Sequence, residues 1–120
     1  MKLITSLLLF AAAMGAAAQS IPDWKITAEP QKKLLANYPA AVKVTVNDGM
    51  GKPVTDATVE LAVTMIDMDH GVHKSPAKMI APGVYEGKTN FFMVGTWDLE
   101  VRVTKQSQSK TQKIRIAVNE

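Results

Sequence analysis

Cysteine is absent from the chain. That removes disulfides, a thiolate nucleophile, thiolate metal ligands, and any cysteine-borne lipid or haem. A blue-copper electron-transfer site goes with them, because it needs a Cys ligand. Histidine is scarce: only His70 and His73 are present, and a structural zinc site would need a third and a fourth good ligand. No cationic stripe is visible. The 14 Lys and Arg are interleaved with 11 Asp and Glu, as in Asp98-Leu99-Glu100-Val101-Arg102, which argues against a nucleic-acid partner. Beyond the N-terminal region no hydrophobic run approaches a membrane span. Nothing resembles a nucleophile elbow or an oxyanion loop, and the Gly49-x-Gly51-Lys52 turn lacks both the spacing and the following helix of a P-loop. Asp67-x-Asp69-x-Gly71 lacks the glycine and terminal acid of a calcium loop, where Val72 and Lys78 stand instead. The chain is therefore expected not to be an enzyme.

What is present begins with a basic head, an apolar run and a small-residue tail. Met1-Lys2, Leu3 onward and Ala16-Ala17-Ala18 form the pattern of a secretory signal peptide over residues 1–18. Removing 18 of the 120 residues leaves 102, room for one domain. The working protein is then expected in the periplasm or outside the cell. Residues 19–38, with Pro22 and Pro30, read as a lead-in that Ile21, Trp24 and Ile26 pack against the body.

Residues 39–120 read as the folded domain. Val42, Val44 and Val46 alternate with polar residues, as do Val59, Leu61, Val63 and Met65, then Trp97, Leu99, Val101 and Val103, then Ile114, Ile116 and Val118. Period two marks half-buried strands. The run Asn47 to Pro53 and the pair Pro82-Gly83 are turns. Residues 84–92 are a further strand whose inward face the pattern leaves ambiguous, and 67–77 read as a loop. No convincing helix and no internal repeat are found. Six to seven short antiparallel strands in about a hundred residues predict an all-β, immunoglobulin-like sandwich.

One stretch stands out. Met65-Ile66-Asp67-Met68-Asp69-His70-Gly71-Val72-His73 holds both histidines, with Met79 and Met93 further on. Thioether sulfur is a soft, neutral ligand and imidazole a borderline one; together they suit copper, as Cu(I) or Cu(II). Methionine also survives in oxidising compartments, where paired thiols close into disulfides. Met68, in a polar loop, has no packing reason to be there. Gly71 lets the loop turn both imidazoles to one point. Met65 shares the parity of Val63 and points to the core, so it can serve as a ligand only at the very end of the sheet. Met79 and Met93 are candidates to complete the site from the rim.

The segments Gly51-Lys52-Pro53-Val54-Thr55-Asp56-Ala57-Thr58-Val59, Pro82-Gly83-Val84-Tyr85-Glu86-Gly87 and Met93-Val94-Gly95-Thr96-Trp97-Asp98-Leu99-Glu100-Val101, in this order, resemble the YtkA-like (FixH-like) domain family. The resemblance spans residues 41–119. It implies an exported immunoglobulin-like sandwich with a Met- and His-containing loop, found in several members alongside copper-handling or oxidase-assembly systems. In this chain that loop corresponds to Met65, Met68, His70, His73 and Met79. The expected function is that of a copper carrier or chaperone, with a periplasmic or membrane copper-handling protein as its exchange partner. The alternative is a non-catalytic accessory module that docks on a membrane or secreted partner by a sheet edge or a loop.

Overall fold

A computed structural model describes residues 21–69 and 71–119. The expected signal peptide (1–18) and His70 lie outside the described residues. Seven strands follow in chain order: β1 (Lys25–Pro30), β2 (Pro39–Asn47), β3 (Thr58–Met65), β4 (Val72–Ala81), β5 (Val84–Asn90), β6 (Gly95–Lys105) and β7 (Gln108–Val118). All pairings are antiparallel, in the order β1-β2-β5-β4-β3-β6-β7. The all-β, immunoglobulin-like sandwich expected from the alternation is what forms.

β4 joins the two layers by changing partners midway. Its first half pairs with β3, from Thr64↔Val72 to Val59↔Ala77. Its second half pairs with β5, from Ala77↔Gly87 to Ala81↔Val84, with a register shift between Met79 and Ala81. Ala77, the pivot, is the buried residue of this strand. The corner depends on Gly87. A Cβ there would stand 2.7 Å from the Pro76 carbonyl oxygen and 2.9 Å from Leu61 Cδ1. Only a residue without a side chain lets the strands come this close.

The alternating residues of β2, β3 and β6 form the core. Val42, Val44, Val46, Leu61, Val63, Trp97, Leu99, Val101 and Val103 are fully buried. On β5 the inward face is Tyr85, Gly87 and Thr89. Tyr85 Oη donates to the Val54 carbonyl at 2.7 Å and accepts from the Ala57 amide at 3.1 Å, pinning the approach to β3 across the corner. On β7 the alternation is weaker, with Ile114 and Ile116 half-buried and Val118 buried.

Two segments differ from the sequence reading. Within residues 19–38, Lys25–Pro30 forms β1, an edge strand running Lys25↔Asn47 to Pro30↔Val42 along β2, with Trp24 and Ile26 buried and Ile21 exposed. The expected loop at 67–77 is mostly strand, because β4 starts at Val72. No hydrophobic alternation marks this strand, because most of its side chains face solvent.

Candidate metal centre

The register brings the ends of four strands to one rim. Met65, the last residue of β3, pairs with Trp97 near the start of β6, and Val63 pairs with His73 near the start of β4. Beyond Met65 the loop is tied down once more, the Ile66 amide donating to the Thr96 carbonyl at 2.9 Å. The 91–94 connection from β5 to β6 closes the same end. Met65, the Met68 loop, His73 and Met93 therefore share one rim.

Each donor is held differently. Met65 is 6% exposed, and its Cε would stand 2.6 Å from a Cβ on Gly95, whose φ is 151°. Asp67 Oδ2 lies 3.8 Å from that same position. Glycine at 95 thus leaves room for the thioether at the sheet end, beside a carboxylate. Met93 is half-buried against the core, and its carbonyl accepts the indole N–H of Trp97 at 3.0 Å. Met68 is 52% exposed, as expected of a residue with no packing role. Gly71, at φ 79° with nothing within 4 Å of a Cβ, donates its amide to Asp69 Oδ1 at 3.2 Å.

His73 is on a strand rather than in the expected flexible loop. Its ring meets Phe92 edge-on, with centroids 5.0 Å apart and planes at 77°. Phe92 meets Trp97 the same way at 5.0 Å, and Trp97 meets Phe91 at 5.5 Å. Such T-shaped pairs add to the stability of burial alone. They anchor the imidazole through three aromatic rings to the core. Neither Phe92 nor Gly95 is read from the sequence as part of the site. The adjacent Phe91-Phe92 pair at a strand end was the one available signal.

Met79 does not join the rim. It lies six residues along the extended β4 from His73, about 20 Å away at the rise of a strand, next to the start of β3. There its Sδ accepts the Asp56 amide at 3.5 Å. The expectation that it completes the site assumed that 67–77 was a flexible loop; an extended strand carries it to the opposite end instead.

Among the described residues no three His, Asp or Glu side chains stand close enough together to hold a metal ion. Thioether sulfur together with an imidazole is a donor set suited to Cu(I). Among the described residues no helix is long and apolar enough to cross a membrane.

Comparison with solved structures supports the fold. The Lin-41 filamin domain is 14% identical and superposes with a TM-score of 0.59, covering 82% of this chain and 97% of that one. MtrC from Shewanella baltica OS185 is 11% identical, with a TM-score of 0.53 over 79% of this chain but only 22% of MtrC. No curated protein matches in sequence. The profile of the YtkA-like family matches residues 18–102, well over half of the chain, and the protein belongs to the YtkA-like family.

Proposed function

We propose that this protein is an exported, non-catalytic copper-binding domain, a carrier or chaperone that holds the ion at the Met/His rim. The observation that carries the reading is the register that sets Met65, His73 and Met93 at one end of the sandwich, where Met68 follows β3. Met68, Met93 and His73 would bind Cu(I), with Met65 behind Gly95 as a further thioether. In sequence His70 sits between Met68 and His73 and is the natural second imidazole. For Cu(II) the imidazoles and the Asp67 carboxylate are the better donors. Met65 and His73 lie on strands, Met68 and Met93 in the connections between them. That division suits a carrier, because the loop ligands can leave first when a periplasmic or membrane partner takes the ion. Export follows from the signal pattern of residues 1–18.

The test is Cu(I) competition against bicinchoninate, with Cu(II) titration alongside. Near-stoichiometric copper is expected, weakened at least tenfold by Met68→Ala together with His73→Ala, and unchanged by Met79→Ala. Failure to retain copper, or equal weakening by Met79→Ala, overturns the reading.

A further inference from the structure

A second feature lies where β4 leaves β5. Their ladder runs through Lys78↔Glu86 and Ala77↔Gly87, and Pro76↔Lys88 would be its next rung. The Pro76 carbonyl points at β5, since it stands 2.7 Å from a Cβ on Gly87, but proline has no N–H to donate to Lys88. The ladder stops there and the strands part. A groove of about 370 Å³ opens between them, walled by His73, Lys74 and Ser75 of β4, by Lys88 and Asn90 of β5, and by Phe92 beyond it.

The peptide groups facing this groove follow from strand period two. The Val46 amide donates to the Gly83 carbonyl and the Asn37 amide to that of Phe91, so odd-numbered residues of the β5 stretch face β2. The Lys88 amide meets the Pro76 carbonyl that closes the last rung, so it is the Lys88 C=O and the N–H and C=O of Asn90 that turn to the groove, where β4 offers no partner. The Ser75 hydroxyl is buried at the groove with no hydrogen-bond partner. A second hollow adjoins the first through Pro39 and Lys88 and adds Lys32 and Lys33. Together the two walls hold four lysines and no carboxylate.

We infer that this seam is a docking site for a short, extended, acidic segment of a partner protein, which adds as a strand to the free edge of β5. Unpaired strand edges recruit extended peptides through main-chain hydrogen bonds. Lysines on both lips select the charge: they repel a second copy of this cationic chain and attract carboxylates. The groove shares His73 and Phe92 with the metal rim, so the test is run in chelator, where it reads peptide binding without copper.

The probe is a synthetic eight-residue peptide alternating Glu with Val and Thr, followed by fluorescence anisotropy on the purified protein. It is expected to bind and to shift the amide resonance of Asn90. Reversing the lip charges with Lys74→Glu and Lys88→Glu should weaken it about fivefold or more, the scale of exposed ion pairs. N-methylating alternate peptide amides should abolish binding. Pro76→Val restores the missing donor, lets the ladder close and should weaken binding in the same way. No binding, or binding indifferent to both N-methylation and Pro76→Val, overturns the inference. So does a concentration-dependent dimer that Pro76→Val abolishes, which would give the seam to a second copy.

Discussion

Gly87→Ala tests the corner on which both layers depend. The added methyl would stand 2.7 Å from the Pro76 oxygen, 2.9 Å from Leu61 Cδ1 and 3.1 Å from Ala77 Cα. Two of these three atoms are backbone, so no rotamer change relieves the contact; β4 has to move off β5. Crowding of this kind costs about 1–3 kcal/mol. Against it stands the loss of unfolded-chain freedom that any Gly→Ala brings, about 0.4–1 kcal/mol in favour of folding. A net loss of about 1–2 kcal/mol is expected, or a fall in Tm of about 5–15 °C for a domain of this size. Thermal and urea unfolding followed by circular dichroism measure it. Amide exchange locates it: Lys78 and Glu86, the rung beside the corner, should exchange faster while β6 and β7 keep their protection. A variant as stable as the parent, or one loosened uniformly, would refute the claim that close approach at this point joins the layers.

Tyr85→Phe removes the donor to the Val54 carbonyl and the acceptor of the Ala57 amide, and should cost about 1–3 kcal/mol in urea unfolding. Phe92→Ala removes the ring against which His73 is set; if that ring orients the imidazole, bicinchoninate competition should show weaker copper binding with little change in the β3–β6 amides. Gly95→Ala places a methyl against the flexible tip of Met65 and puts a side chain at φ 151°; urea unfolding should show a loss of about 1–3 kcal/mol from the strained backbone, with the Met65 methyl resonance moved and Cu(I) affinity lowered. The Met50 and Lys52 amides, each donating at 2.9 Å to Asp48 Oδ1, hold that carboxyl below its ordinary value. The contribution of this turn is complete above the ordinary aspartate pKa and disappears only as pH falls through the lower folded value. The two amide resonances should therefore stay fixed from pH 7 down to about 4 and shift below it.

The strands with one dry face were legible in the sequence, because burial on one side writes itself as period two. Val42 to Val46, Val59 to Met65 and Trp97 to Val103 are buried as the alternation demands. β5 was ambiguous because its inward face is Tyr85, Gly87 and Thr89, of which only one is large and apolar. β4 was invisible for a deeper reason. A strand that bridges two layers leaves most of its length over neither, and only Ala77 is buried. β1 lay hidden behind Pro22 and Pro30, although its ladder along β2 is complete over six residues.

The candidate site was legible to the same extent as the strands that carry it. Met65 is expected in the core, and as a ligand only at the very end of the sheet; its thioether is buried and its tip lies against Gly95. Met93 stands two residues before Gly95, where β6 begins, so its place at the rim follows from that strand's start. Met79 was misplaced for the same reason that β4 was missed, since a ligand's reach follows from whether the intervening chain is loop or strand. Six loop residues can fold back on themselves, whereas six strand residues span most of a sheet. The same extended path that removes Met79 also sets His73 against Phe92 and opens the seam at Pro76. The position of one crossover strand thus decides both which donors can meet at the rim and which backbone edge is left for a partner.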